Sequence, residues 1–412
     1  MYVLTFLQTG QYSESKPEQR AVEVEYRLAC SGELYNRRVL TADWRKSDIT
    51  RVLLREPFEL FVASRPFDEY PQELCARLNL SYVTEEDDSR GVSSTNTFLP
   101  DDEIMEDLCS ILSLLARRLI SVVGKIRERC AERDTALGSY GWDAPISILQ
   151  HSNVAVWRRR PITIRTSIEG RQVETNDIPP TGVDATALRA LLLKLPELPE
   201  AEEIIHTCRL YKTALELIES RPDITYQLLI SAVETMAGAA MHDYEPDDAE
   251  KLNAQRGVLE KARACGLTEE QATSVAVEAC HGMTWLRQKF KKFILNNVSS
   301  QEVGSEDRVF PWWSFLLPSP HNVEKFLDRI YRARSGNLHS GYPFPPWVGL
   351  GTSPTANHRN VPLAGLAPDD VPPVTWFERV VSSAARRYLV AKCSLDSQPF
   401  ADFGVTDSGK EQ

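Results

Sequence analysis

Alternating apolar and polar residues in the first part of the chain predict β-strands. Single polar residues separate four apolar ones: Val22, Val24, Tyr26 and Leu28. Short apolar runs follow at 51–55 and 58–62. The apolar start at 1–8 is also interpreted as a strand, because no basic residues precede it as they would in a secretory signal.

A helical period of apolar residues predicts a long helix over residues 102–130. Acidic residues fill its first turn and basic residues its end, as the helix dipole favours: Lys125, Arg127 and Arg129. The apolar stretch at 111–123 within it is interrupted by Arg117 and Arg118 and is shorter than the about 20 residues that span a bilayer. No membrane span is therefore predicted.

Strand patterns return at 145–149, 154–157 and 161–165, and turn-forming residues cluster at 176–182. Beyond this point the pattern is helical, with predicted helices at 185–195, 201–220, 224–241, 249–265, 269–280, 283–296, 322–335 and 376–392. Eight of the 25 prolines lie between residues 341 and 373, so no helix is expected to run through that segment.

These patterns predict an α+β protein of two domains and a tail. The β-rich N-terminal domain with its long helix covers residues 1–178, and an all-α helical bundle covers 185–396. Residues 397–412 are predicted to be a disordered tail.

Charge and cysteine spacing narrow the classes of function. The formal net charge of −11 argues against a protein that coats nucleic acid through bulk charge, so any such contact requires a local basic patch. The eight cysteines form no Cys-x-x-Cys pair, which predicts reduced thiols in a cytoplasm, with no metal and no cofactor. Phosphate-binding glycine loops and the Gly-x-Ser-x-Gly esterase motif are absent from the sequence.

One arginine of the predicted helix at 322–335 points toward the core. Arg334 falls about 20° from Val323 on a helical wheel, within the apolar stripe, whereas Arg332 lies about 180° from Val323 and should face solvent. A buried guanidinium requires an anion, which is either a protein carboxylate or a bound phosphate. His339 would lie about 140° from Arg334 on an unbroken helix. Gly336 and Asn337 are therefore expected to end or kink the helix, so that His339 turns back toward Arg334.

The segment Ile-Tyr-Arg-Ala-Arg-Ser-Gly-Asn-Leu-His-Ser-Gly at 330–341 resembles the HEPN superfamily, whose signature is an arginine followed, after four to six residues, by a histidine. It is most similar to the Apea-like group of HEPN domains. The helix at 226–238 is similar to the apolar helix of that group, and the resemblance covers about 195–392. The first half of the chain lies outside it.

The resemblance implies a metal-independent endoribonuclease. His339 would transfer a proton to or from the reacting oxygens, Arg334 would hold the scissile phosphate, and the products would be a 2′,3′-cyclic phosphate and a 5′-hydroxyl. It also implies an RNA substrate, a homodimer formed through the HEPN domain, a toxin-like or antiviral defence role, and a protein or phage-derived trigger at the N-terminal domain. Ser335 stands where many active members carry Asn, Asp or His, but its hydroxyl can still bond to phosphate.

Two alternatives to a ribonuclease stay open. In the first, the domain is a non-catalytic HEPN-like RNA-binding or scaffold protein, in which Arg334 pairs with a structural carboxylate and His339 only ends a helix. In the second, a partner nucleotidyltransferase modifies the domain.

Supporting residues near the motif have a functional and a structural interpretation. Asn337 is one such supporting residue. Glu234 is another: it either orients Arg334 from a neighbouring helix or is a solvated carboxylate at a helix edge. The basic residues of 285–293 suit RNA contacts, although the same segment fits an amphipathic helix: Arg287, Lys289, Lys291 and Lys292. Tyr342 either stacks on a base or pins the proline-rich segment.

Overall fold

The computed structural model of the chain describes fourteen stretches of residues. They are 2–9, 19–30, 34–36, 50–63, 73–83, 100–130, 133–136, 167–168, 171–172, 181–218, 220–281, 285–298, 323–349 and 371–402. The strands predicted at 145–149, 154–157 and 161–165 lie outside these residues.

A six-stranded antiparallel sheet dominates the first half. Its strands are β1 (Gln19–Cys30), β3 (Thr50–Leu54), β4 (Glu59–Ala63), β5 (Glu73–Val83), β6 (Ile120–Cys130) and β7 (Arg133–Ala136). They lie in the order β3-β4-β5-β1-β6-β7. Val24, Tyr26 and Leu28 of β1 are buried on one face of this sheet. The predicted alternation of the first strand is therefore confirmed.

The apolar start of the chain is a helix, so the strand predicted at 1–8 is wrong. Helix α1 (Tyr2–Thr9) buries Val3, Phe6 and Leu7. These positions follow the i, i+3, i+4 spacing of a helix face rather than the alternation of a strand.

The helix predicted at 102–130 is correct only in its first half. Helix α2 (Pro100–Ala116) ends at Arg117, whose φ is +50°, and the chain continues as β6. The backbone N–H of Ile120 donates to Ser113 Oγ at 2.9 Å, which fixes this turn. Because β6 pairs with β1, the basic residues expected at a helix end lie on a strand instead. Pairing with a strand that is distant in the sequence therefore determines the structure of this segment, although its local apolar pattern is helical.

The second half is helical, as predicted. Its helices are α3 (Ala185–Lys194), α4 (Ala201–Leu217), α5 (Pro222–Ala240), α6 (Asp248–Ala264), α7 (Glu269–His281), α8 (Leu286–Asn297), α9 (Val323–Ser340) and α10 (Val374–Lys392). Each predicted helix appears within a few residues of its expected ends, except that α9 extends five residues further. The α+β fold class is thus confirmed. Within the described residues, no helix is long and apolar enough to cross a membrane.

Three short strands from distant parts of the chain form a second sheet. Strand β10 (Thr181–Val183) pairs in parallel with β2 (Leu34–Asn36) and antiparallel with β11 (Phe400–Asp402). Asp184 caps α3 by accepting from two backbone N–H groups and also accepts from Ser397 Oγ at 3.1 Å. The prediction of a disordered tail is therefore wrong for residues 397–402, while 403–412 lie outside the described chain. Strands β8 (Ser167–Ile168) and β9 (Arg171–Gln172) form a separate small hairpin.

A buried ion pair joins the turn after α2 to helix α10. Arg117 Nη2 donates to Glu378 Oε2 at 2.8 Å, and Tyr211 of α4 donates to Glu378 Oε1 at 2.6 Å. Burial raises the pKa of the Tyr211 hydroxyl, and the charge of Glu378 raises that pKa further. Contacts such as this cross the predicted domain boundary at 178–185, and the division into two domains stays a prediction.

Candidate functional site

The residues of the motif lie where α9 packs against α5, with α10 beneath them. Val323, Phe326, Leu327 and Ile330 of α9 are buried, as the helical wheel predicts. In the core, Phe377 of α10 stacks on Tyr226 of α5, with ring centroids 5.1 Å apart. The apolar stripe of α9 and this aromatic layer fix the relative positions of the helices and hence of the polar residues above them.

Arg334 is held by a carboxylate from the neighbouring helix. Its Nη2 lies 2.8 Å from Oε2 of Glu234, and the hydroxyl of Tyr331 donates to Oε1 of the same carboxylate at 2.8 Å. The exposed fractions of the side chains are 22% for Arg334 and 12% for Glu234. Of the two interpretations of Glu234, the geometry is that of contact with Arg334 rather than of a solvated carboxylate.

The ion pair satisfies only part of the guanidinium of Arg334, whose side chain stays 22% exposed. Nε of Arg334 is buried and has no hydrogen-bond acceptor among the described residues. The pair is made through one nitrogen, which differs from the closed bidentate contact that a purely structural arginine commonly makes. An anion placed at the exposed side of the group would meet an oriented positive charge.

Tyr331 was not among the predicted site residues. Burial and the hydrogen bond to Glu234 raise its pKa to about 12, so the phenol stays protonated at neutral pH and continues to donate to the carboxylate. Its position three residues before Arg334 places both side chains on one side of α9. That spacing was the available signal in the sequence.

Asn337 ties the end of α9 to α5. The amide of Gln227, which was also missed, donates to Asn337 Oδ1, and Asn337 Nδ2 donates to the backbone oxygen of Tyr342 at 2.8 Å. The ring of Tyr342 is exposed, and it lies beside Gly336. Phe344 instead turns inward and stacks on Tyr226, with centroids 5.2 Å apart. The chain after α9 thus presents one aromatic ring outward and anchors the other.

The bend expected at Gly336 and Asn337 does not occur, and that expectation is wrong. Helix α9 continues to Ser340 and ends at Gly341, whose φ is +69°. The Asn337 side chain is occupied by its contacts with α5 and Tyr342, and the left-handed residue that ends a helix comes four positions later. His339 is exposed and lies about 140° around the helix from Arg334, with Ser335 between them.

The basic residues of α8 mostly contact acidic side chains. Arg287 donates to Asp328 at 2.8 Å, Lys291 lies 2.9 Å from Glu324, and Lys292 pairs with Glu250. Phe290 and Phe293 of the same helix are buried. Lys289 has no ion-pair partner within the described part of the chain. Most of the positive charge of α8 is therefore neutralised by acidic side chains of the same chain. The pairs with Asp328 and Glu324 hold α8 against α9.

The described residues contain no group of three or more His, Cys, Asp or Glu side chains that could hold a metal ion. What the site offers chemically is a guanidinium, an exposed imidazole, two hydroxyls and an exposed aromatic ring.

Comparisons with models of protein families, with curated proteins and with solved structures find no match for this chain.

Proposed function

We propose that this protein is a metal-independent endoribonuclease of the HEPN type that works as a two-fold dimer. The observation that supports it most directly is the geometry of Arg334: Glu234 orients the guanidinium through one nitrogen, and the group keeps a partly exposed side. An arginine held in this way is suited to bind a phosphate, because little conformational freedom is lost when the anion arrives.

In the proposed reaction the ribose 2′-oxygen attacks the adjacent phosphorus and the 5′-oxygen leaves. The 2′-hydroxyl loses its proton to a base and the leaving oxygen gains one from an acid, which gives a cyclic phosphate and a 5′-hydroxyl. Arg334 stabilises the charge that grows on the phosphoryl oxygens. His339 is the proton-transfer group.

The helix phase supports the proposed dimer. His339 and Arg334 of one protomer face different sides of α9, so one phosphate does not contact both. A two-fold axis near the end of α9 brings Arg334 of one protomer beside His339 of its partner, and it creates two equivalent sites. Tyr342, exposed next to Gly336, is placed to stack on an unpaired base of the RNA.

The cellular part of the proposal rests on the resemblance of residues 330–341 to HEPN domains. It comprises cytoplasmic RNA as the substrate, a toxin-like or antiviral defence role, and a trigger that acts on the first 178 residues.

A second candidate function is a non-catalytic helical protein that binds RNA or acts as a scaffold. Two observations favour it. Glu234 already neutralises Arg334. The basic side chains of α8 are largely neutralised by the carboxylates of Asp328, Glu324 and Glu250. In this case Arg334 stabilises the packing of α9 on α5, and His339 is a surface residue in the last helical turn.

RNA cleavage in EDTA separates the two candidates. We expect the purified protein to cut RNA, Arg334→Ala to lower the rate about 10²- to 10³-fold, and His339→Ala to lower it about 10²- to 10⁴-fold. Arg332→Ala is the matched control, since this arginine is exposed on the same helix and should leave the rate unchanged. Cleavage that persists in His339→Ala at the wild-type rate refutes the proposal, and RNA binding without any cleavage supports the second candidate.

A further inference from the structure

The carboxylate of Glu234 accepts hydrogen bonds from two side chains of α9, one at each oxygen. Its Oε1 accepts from the hydroxyl of Tyr331 and its Oε2 from Nη2 of Arg334, both at 2.8 Å. Nε of Arg334 is buried and has no acceptor within the described part of the chain. A buried N–H without an acceptor is unfavourable, so an arrangement that pairs this nitrogen competes with the observed one.

Arginine–carboxylate pairs elsewhere in the chain use Nε as well as Nη2. In the pair of Arg209 with Asp107, these two nitrogens donate to the two carboxylate oxygens at 2.5 and 2.8 Å. In the pair of Arg117 with Glu378, the corresponding distances are 3.3 and 2.8 Å. Two parallel hydrogen bonds make a stronger and more rigid pair than one does. The competing arrangement of Arg334 is therefore a closed pair through both Nε and Nη2.

The contact through Nε is longer where a tyrosine hydroxyl also donates to the carboxylate. Oε1 of Glu378 accepts from Tyr211 at 2.6 Å, and the same oxygen lies 3.3 Å from Nε of Arg117. No tyrosine of the described residues donates to Asp107, whose contact with an arginine Nε is 2.5 Å. At Glu234 a tyrosine hydroxyl holds Oε1, and the contact through Nε is missing. A hydroxyl that occupies a carboxylate oxygen thus opposes the closed pair.

The ring of Tyr331 is held independently of its hydroxyl. It packs against Phe290 of α8, with ring centroids 5.6 Å apart, and Cζ of Arg334 lies 5.7 Å from its centroid. Burial and the hydrogen bond to Glu234 raise the pKa of Tyr331 to about 12, so the hydroxyl remains a donor at neutral pH. Substitution by phenylalanine removes this donor and leaves the ring contacts in place.

We propose that Tyr331 is a positioning residue whose hydroxyl keeps Glu234 on one nitrogen of Arg334 and so keeps the guanidinium open to a phosphate of the RNA. Without the hydroxyl, the carboxylate closes on Nε and Nη2, and the phosphate must compete with a bidentate partner. Tyr331 does not itself contact the phosphate. The inference rests on the proposed function for the identity of the ligand, and it deepens that function by assigning control of Arg334 to a third side chain.

The size of the effect follows from an equilibrium between an open and a closed site. A ligand that binds only the open state has its apparent affinity reduced by the fraction of the protein that is open. One additional hydrogen bond between charged groups is expected to lower that fraction about tenfold. Saturating RNA restores the open state. The KM for RNA therefore rises while kcat stays unchanged, which a loss of folded protein would not produce.

Modification by phenylglyoxal, which reacts with the terminal nitrogens of arginine, reports the state of Arg334 without RNA. Peptide mass spectrometry follows the rate at this residue in the full-length chain. We expect Tyr331→Phe to slow the reaction about tenfold, and Glu234→Gln added to it to restore at least the wild-type rate, because a neutral amide does not form the closed pair. Tyr388→Phe is the matched control, since it removes a hydroxyl that donates to another carboxylate, that of Glu200, at 2.6 Å.

Three results of the modification experiment overturn the inference. The first is an Arg334 that resists the reagent in the wild-type chain, and the second is a Tyr331→Phe variant that reacts as fast as wild type. The third is a double variant that stays slow, because closure by Glu234 is then not the cause. Circular dichroism checks that all variants are equally folded, and the control should react at the wild-type rate.

Kinetics of RNA cleavage in EDTA give a second measurement. Tyr331→Phe should raise KM about tenfold and leave kcat unchanged, and a lower kcat at an unchanged KM overturns the positioning role. A wild-type chain that does not cleave RNA refutes the proposed function instead. The rates of modification at Arg334 still decide in that case whether the hydroxyl of Tyr331 keeps the guanidinium open, so the two failures are distinguishable.

Discussion

The proposed sharing of one active site by two protomers can be tested by mixing two inactive variants. Arg334→Ala keeps an intact His339, and His339→Ala keeps an intact Arg334. In α9 these residues are five positions apart, which corresponds to about 140° of rotation and about 7.5 Å along the helix axis. A site built within one protomer would need both residues from the same chain, whereas a shared site needs one from each.

The expected activity follows from counting the sites. Random exchange of subunits in an equimolar mixture gives about half mixed dimers, and each mixed dimer contains one shared site with both residues intact and one with neither. The mixture should therefore recover about a quarter of the wild-type rate. Because Arg334→Ala alone is expected to lose at least about 10²-fold, the gain over that variant is at least about 25-fold.

The assay is cleavage of a fluorescent RNA in EDTA after coexpression of the two variants with different affinity tags. Sequential purification on both tags isolates the mixed dimers, which should then show about half of the wild-type rate per dimer. As a control, two differently tagged copies of His339→Ala are coexpressed and purified in the same way, and they should show no recovery because no shared site then contains an imidazole. Mixed dimers that stay as inactive as the single variants would refute the shared site.

Three further predictions follow from the structure. Glu378→Gln removes the charge that balances the buried Arg117 guanidinium and should lower the free energy of unfolding by about 3–5 kcal/mol in a denaturant titration; an effect below about 1 kcal/mol would contradict the role given to this pair. Phe344→Ala removes a buried ring from the stack on α5 and should cost about 3 kcal/mol in the same assay, and an unchanged midpoint would contradict that anchor. At pH 8, iodoacetamide should modify the exposed Cys265 much faster than the buried Cys208, whose pKa is raised by burial, and peptide mass spectrometry showing the reverse order would contradict the burial.

The helices of the second half could be predicted because their signals are local. In each helix, apolar residues recur every three to four positions. The cap residues Asp184 and Asp247 mark the starts of two of the helices. The prediction of one helix over 102–130 is wrong in its second half because the structure there depends on a contact with a distant part of the chain. The apolar period continues past Ala116, but the chain after it pairs with residues of β1 that lie about 90 to 110 positions earlier in the sequence. Local patterns carry no information about such a partner.

The candidate site was predictable in part for the same reason. The inward direction of Arg334 follows from helix phase alone, and one of two interpretations placed Glu234 against it. The path of the chain after Arg334 was not predictable. Gly336 and Asn337 tolerate a bend, but the contacts of Asn337 with Gln227 and Tyr342 keep the helix straight, and no sequence pattern identifies these contacts.

The small sheet of β2, β10 and β11 has a consequence for how the protein is made. Asp184, next to β10, contacts Ser397, which is 213 positions later in the chain, so this sheet closes only after more than two hundred further residues have been synthesised. Contacts between such distant segments are slow to form, since a very long loop must close first. A shortened gene that encodes residues 181–402 would keep β10 and β11 together but would lose β2, the parallel neighbour of β10. Production of the isolated second half should therefore begin from variants that supply a substitute for this missing strand.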